Sequence, residues 1–186
     1  MPTRVVIAED EAIIRLDLRE TLVDEGYDVI GETGRGDEAV ELVRQLQPDL
    51  VILDIKMPGM GGLEAARLIT EDRLAAVLIL TAFSQRDLIV QARDAGALAY
   101  LVKPFQRSDL VPAIEVALGR FAELRALQEQ SADLEERLAN RKLLDRAKGI
   151  LMDEASLGEQ AAFRFIQTTA MAERTTMKLV AERIIA

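Results

Sequence analysis

The chain has 186 residues, no histidine, no cysteine and a formal charge of −9 at pH 7. Without cysteine there is no disulfide framework or thiolate metal site, and without histidine there is no Ser-His or Cys-His hydrolase and no phosphohistidine relay. Apolar runs reach only strand length, and MPTR leads straight into VVIA, so neither a bilayer span nor a signal core is expected and the economical location is the cytoplasm.

Strand-like and helix-like runs then alternate through about the first 120 residues. A strand at Arg4–Ala8 precedes a helix over Ala12–Glu25. Ile13, Leu16, Leu18, Leu22 and Val23 are assigned to its apolar face, and Gly26 to its stop. A second strand at Tyr27–Gly31 leads to a helix over Asp37–Leu46, ended by Pro48. The third strand, Leu50–Leu53, is continuously apolar, as suits a central parallel strand covered on both faces. A helix follows the Gly59–Gly62 turn. Next come a strand at Val77–Leu80, a helix over Gln85–Ala95 stopping at Gly96, and a strand at Ala99–Val102. Five such βα units predict an α/β, flavodoxin-like, doubly wound five-stranded parallel sheet in the order 2-1-3-4-5.

From Ser108 onward the pattern is helical. Leu124, Leu127, Ser131, Leu134, Leu138 and Arg141 are spaced as a short heptad seam, and neither glycine nor proline interrupts the stretch between Gly119 and Lys148. A long helix or short coiled coil is therefore expected to lead into a small three-helix bundle. The bundle's apolar faces are drawn by Leu144, Ala147, Ile150 and Leu151, by Ala162, Phe165, Ile166, Thr169 and Ala170, and by Met177, Val180, Ala181 and Ile184. Phe163 and Phe165 are both assigned to its core. The expected divisions are residues 1–120, 121–140 and 141–186.

The strand ends carry the chemistry. VVIAEDE (Val5–Glu11), LVILDIKMP (Leu50–Pro58), VLILTAF (Val77–Phe83) and AYLVKPF (Ala99–Phe105) place Glu9, Asp10, Asp54, Thr81 and Lys103 at or just past the carboxyl ends of their runs. The strand order brings Glu9, Asp10 and Asp54 into one crevice. Three clustered carboxylates repel by about 4 kcal/mol per pair at 4 Å and an effective dielectric near 20, which a hard cation such as Mg²⁺ relieves. Asp54 is then a nucleophile toward a phosphoryl donor, with Lys103 offsetting charge on the transferring oxygens and Thr81 donating its hydroxyl to one of them. Lys103-Pro104 is a candidate cis peptide.

The charge is uneven: the net is −8 over residues 1–120 and −1 over residues 121–186. Arg137, Arg141, Lys142, Arg146 and Lys148 form a basic island against one acid, Asp145. On a helix Arg137, Arg141 and Lys148 share one line, and Lys142 and Arg146 the next, which suits contact with a phosphate backbone. Arg174 and Lys178, with the hydroxyls of Thr175 and Thr176, form a second polar group.

Residues 1 to about 120 resemble the receiver domain of two-component response regulators, through Glu9-Asp10, the Asp54 of LDIKMPGMGG, Thr81-Ala82, Tyr100 and Lys103-Pro104-Phe105. The resemblance implies that Asp54 is the phosphoacceptor, charged by a sensor histidine kinase. It also implies that Asp10 and Asp54 bind Mg²⁺ directly, Glu9 through water, and the Lys56 backbone carbonyl completes the protein ligands. Thr81 and Tyr100 match the family's switch pair; for Tyr100, simple packing on helix 4 stands as the alternative. RKLLDRAKGILM (Arg141–Met152), AAFRFIQ (Ala161–Gln167), Ala170-Met171 and KLVAERII (Lys178–Ile185) resemble the ANTAR domain, an RNA-binding antitermination module. The family often has Gly where Ser156 stands; a shifted capping box of Ser156 with Glu159 is the expectation here.

The implied protein is a phosphorylation-controlled regulator that binds RNA hairpins and is not a conventional enzyme. A tail that docks on a protein partner or on DNA is the alternative. The leucine seam admits either a phosphorylation-dependent homodimer or packing within one chain.

Overall fold

The computed structural model describes residues 1–82 and 88–186 in full and residues 86–87 as backbone. Its elements are β1 (Arg4–Ala8), α1 (Ala12–Asp24), β2 (Asp28–Thr33), α2 (Gly36–Leu46), β3 (Leu50–Asp54), α3 (Gly62–Glu71), β4 (Ala76–Thr81), α4 (Arg86–Asp94), β5 (Ala99–Val102), α5 (Arg107–Glu154), α6 (Glu159–Glu173) and α7 (Met177–Ile185). The chain divides into two compact units, Met1–Arg125 and Ala126–Ala186. Among the described residues no helix is long and apolar enough to cross a membrane. The Phe83 end of the fourth run and the Gln85 start of the fourth helix lie outside the described residues.

In the first unit five parallel strands run in the order β2-β1-β3-β4-β5, as the sequence predicts. β3 and β4 are buried at every residue, because helices cover both faces of a parallel sheet and leave no side for polar alternation. One face packs Val6, Val51, Leu53 and Ile79 against α2 and α3 residues such as Val43 and Ile69. The other packs Ile7, Ile52, Leu78 and Leu80 with Leu18 and Leu22 of α1 and Leu110 and Ile114 of α5. β2 extends past its expected end at Gly31 to Thr33.

The apolar face assigned to α1 is corrected. Leu18 and Leu22 are buried, whereas Ile13 is 85% exposed and Leu16 and Val23 are also exposed. Burial follows the i, i+4, i+8 line through Ile14, Leu18 and Leu22, and the other three apolar residues fall off it.

The second unit is helical. Ala147 of α5, Ile166 and Ala170 of α6, and Val180 and Ala181 of α7 form its core, with Leu143, Leu144, Leu151, Met177, Ile184 and Ile185 partly buried around them. Phe163 and Phe165 are 41% and 48% exposed, which overturns their assignment to the core. The buried stripe of α6 is Ala162, Ile166 and Ala170, and the two rings flank it on either side. The expected capping box is also overturned: α6 is capped by Gly158 with no side-chain hydrogen bond. Ser156 has φ +52°, a left-handed turn after the end of α5 that glycine adopts more easily. Thr176 caps α7, its Oγ1 accepting from Leu179 N at 3.3 Å.

Candidate functional site

Strand register assembles the acidic site. Ala8 pairs with Leu53, Asp54 with Leu80, and Thr81 with Val102. Glu9 and Asp10 therefore leave β1 beside Asp54 at the end of β3, while Lys103 follows β5 beside Thr81. Backbone bonds extend this pattern past the strand ends: Glu9 N donates to Thr33 O at 3.0 Å, Ile55 N to Leu80 O at 3.1 Å and Lys103 N to Thr81 O at 2.7 Å. Behind Asp54 the chain turns tightly into α3. A Cβ on Gly62 would stand 1.9 Å from the Asp54 carbonyl oxygen, so only glycine fits there.

Lys103 Nζ lies 2.6 Å from Glu9 Oε2 and 2.7 Å from Asp54 Oδ1. The Lys103-Pro104 peptide is cis. Lys56 N donates to the second Asp54 oxygen, Oδ2, at 2.8 Å, which fixes the carboxylate plane and brings the backbone of residue 56 against it. An Arg15 guanidinium nitrogen donates to the Glu9 carbonyl oxygen. Glu9, Asp54 and Thr81 are buried, whereas Asp10 is exposed.

One oxygen each from Glu9, Asp10 and Asp54 lies within 4.8 Å of the others. An all-oxygen, carboxylate-rich set with one member open to water suits Mg²⁺, which keeps several of its waters. Burial, together with the neighbouring Asp54 charge, raises the Glu9 pKa above its ordinary value against the opposing pull of Lys103. For Lys103, burial acts to lower the pKa, but its bonds to Asp54 and Glu9 prevail and raise it. The lysine is thus held charged between two acids.

Thr81 is buried at the site, while Tyr100, on β5, is 46% exposed. Its ring lines a cleft of about 470 Å³ with Ile89, Arg93, Pro112 and Val116.

The sequence-predicted basic residues are mostly solvent-exposed in the second unit: Arg137, Arg141, Lys142, Arg146, Arg174 and Lys178. Lys148 differs. Its side chain is 17% exposed and its Nζ lies 2.9 Å from Asp145 Oδ1 and 3.0 Å from Glu159 Oε1, so it fastens α5 to α6. Arg137 pairs with Asp133 at 2.9 Å and Arg141 loosely with Asp145 at 3.9 Å. Two clefts adjoin this face, of about 320 Å³ and 470 Å³. They bring in Asn140, Gln160, Arg164 and Gln167, which the sequence reading missed, and Phe163, which it placed in the core. The available signal was the spacing of Gln160, Arg164 and Gln167 along one line of α6.

A description of the response regulator receiver domain matches residues 5–115, and one of the ANTAR domain matches residues 132–185. The transcriptional regulatory protein PdtaR of Mycobacterium tuberculosis (strain ATCC 25618 / H37Rv) is 57% identical over 185 residues, covering 100% of this chain and 90% of that protein. The chemotaxis protein CheY of Thermotoga maritima is 40% identical over 115 residues, 61% of this chain and 96% of its own. Among solved structures, the signal receiver domain of the putative response regulator NarL from Mycobacterium tuberculosis matches with a TM-score of 0.61 at 30% identity, over 63% of this chain and 97% of that one.

Proposed function

Because the chain belongs to the response regulators that join a receiver domain to an ANTAR domain, we propose that Asp54 accepts a phosphoryl group from a sensor histidine kinase and that the C-terminal helices then bind RNA hairpins to regulate transcription termination. The observation that carries the first half is the buried Asp54–Lys103–Glu9 bridge set inside a three-carboxylate cluster. An Asp54 oxygen attacks phosphorus, the bond to the donor breaks, and the donor nitrogen leaves. Asp10 and Asp54, the Lys56 carbonyl, and Glu9 through water would hold Mg²⁺, which supplies positive charge opposite the transferring oxygens. Lys103 exchanges a carboxylate partner for a phosphoryl oxygen. Thr81 donates its hydroxyl to another, and Tyr100 moves inward from its exposed position.

In this reading residues 1–120 are the receiver, 121–140 the connector and 141–186 the output. The exposed cations of α5 with Arg174 and Lys178 supply backbone contacts, and unpaired loop bases supply specificity. Leu127, Leu134 and Leu138 are exposed, which favours a homodimer seam over packing within one chain. The protein works in the cytoplasm, where kinase and nascent transcript are both available.

The test is the affinity of a tandem-hairpin RNA library for wild type and Asp54→Ala, with acetyl phosphate and Mg²⁺ present or absent. Binding that rises with phosphorylation in wild type and stays low in Asp54→Ala is the expected result. Binding indifferent to phosphate breaks the coupling. Absence of RNA binding in every state, or equal competition by duplex DNA, overturns the RNA output.

A further inference from the structure

We propose that Phe163 is the stacking platform of a loop-base site, with Gln160, Arg164 and Gln167 reading base edges and Arg137 and Arg141 holding the adjoining backbone. The inference rests on the RNA reading above and adds which residues meet an unpaired base.

Phe163 lines both clefts beside the basic face of α5, as does Lys148, so the ring stands in the wall between them. Each cleft falls within the roughly 300–1,000 Å³ typical of small-ligand sites. One holds Arg137, Asn140 and Arg141; the other holds Gln160, Arg164 and Gln167. Every base has a π face, so an exposed aromatic ring beside cations accepts unpaired bases of any identity. Side-chain amides offer a donor and an acceptor together, the pairing that a base edge presents. Asn140, which lines the first of these clefts with the ring, carries a buried Oδ1 without a hydrogen-bond partner.

The cations are available to a nucleic acid in an ordered way. Arg137 and Arg141 are exposed and, among the described residues, pair with acids one turn away on the same helix. Such pairs are weak and readily exchanged for phosphate. Lys148 is committed to Asp145 and Glu159; it is a positioning residue that holds α6, and with it Phe163, against α5. Phe165 is equally exposed but lines neither cleft, which makes it an internal control.

The chain contains no tryptophan, so Phe163→Trp introduces a single indole into the full-length protein, excited selectively beyond tyrosine absorption. Treated with acetyl phosphate and Mg²⁺, this variant is titrated with hairpins of randomised loop sequence and with the same stems closed as uninterrupted duplexes. Quenching by hairpins and not by duplexes is the expected result. In parallel, Phe163→Leu should weaken hairpin binding by about 5- to 150-fold while leaving the slope against salt concentration unchanged. Phe165→Leu should bind as wild type, and melting curves check that each variant folds. If hairpins bind wild type but Phe163→Leu binds them equally and the indole emission does not move, the platform is wrong and the RNA reading survives. If no protein binds hairpins, both fall, and the exposed rings belong to a protein-docking face.

Discussion

Replacing Lys103 by methionine isolates the charge problem on which the receiver site is built. Glu9 is fully buried, Asp54 nearly so, and the lysine joins them at 2.6 Å and 2.7 Å. Removing one partner of a buried ion pair costs about 3–5 kcal/mol, because an uncompensated charge stays behind. A domain of this size has only about 5–15 kcal/mol in total. With a urea slope near 2 kcal/mol/M, the midpoint of the first unit should fall by about 2 M at pH 7. Two conditions should restore much of it. Mg²⁺ at the same carboxylates would not compete against an ammonium group in the variant. It should therefore stabilise Lys103→Met by about 2.7 kcal/mol at about 100 times that variant's dissociation constant, and the deficit should shrink by as much as this exceeds the effect on wild type.

Lowering the pH should do the same. Burial already raises the Glu9 pKa, and without Lys103 it rises further. An acid with a raised folded pKa destabilises the fold at higher pH, and the penalty disappears as pH falls through that pKa toward the ordinary 4.5. The assay is urea denaturation of wild type and Lys103→Met at several pH values, with and without Mg²⁺. A loss below about 1 kcal/mol, or a loss that neither Mg²⁺ nor acid reduces, would refute the reasoning.

Gly62→Ala drives a methyl to 1.9 Å from the Asp54 carbonyl oxygen; a loss of at least about 2 kcal/mol in urea unfolding and slower acetyl-phosphate uptake by intact mass are expected. Thr176→Val removes the acceptor for Leu179 N and should cost about 1 kcal/mol of second-unit stability in thermal melts. The Lys148 clamp should be pH-bounded. The hydrogen bond from Lys148 lowers the Asp145 pKa from 3.8, and bonds to Asp145 and Glu159 raise that of Lys148 from 10.5. The lowered acid contributes stability that is fully present above 3.8 and is lost as pH falls through the lower folded value; the raised lysine contributes below 10.5 and loses it as pH rises through the higher one. The melting-temperature difference between wild type and Lys148→Met should thus be flat between these limits and close beyond them, and a steady slope across neutral pH would refute the assignment.

The receiver site was legible because its parts are tied to topology. Once the apolar runs are recognised as parallel strands in the order 2-1-3-4-5, Glu9, Asp10 and Asp54 must share a crevice whatever the helices do. Side-chain direction on helices was less legible. Five apolar residues were assigned to α1's buried face, yet Ile13, Leu16 and Val23 point outward, since three-dimensional packing selects one line that periodicity leaves ambiguous. Hydropathy assigned Phe163 and Phe165 to a core that the structure fills with Ala162, Ile166 and Ala170. Lys148 lay in a column of basic residues, and nothing local marks its partner Glu159, eleven positions away, as the acid across the turn.

The second unit explains why its exposed residues are informative. Its fully buried side chains are mostly alanines, with Ile166 and Val180 as the larger members. Alanine buries little area, so the core stabilises the unit only weakly, and small units of this kind commonly gain stability from a partner. The same unit leaves Leu127, Leu134, Leu138, Phe163, Phe165, Met171 and Leu179 exposed. Large apolar side chains on the surface of a weakly cored unit contribute to stability only when something covers them. The leucines lie at heptad spacing on α5, which fits a second copy, while Phe163 stands between cationic clefts, which fits a base. In the proposed reading, two ligands of different chemistry would account for two distinct exposed surfaces, and each would stabilise the unit when bound. A regulator built this way would gain order in its output region from the interactions it is meant to control.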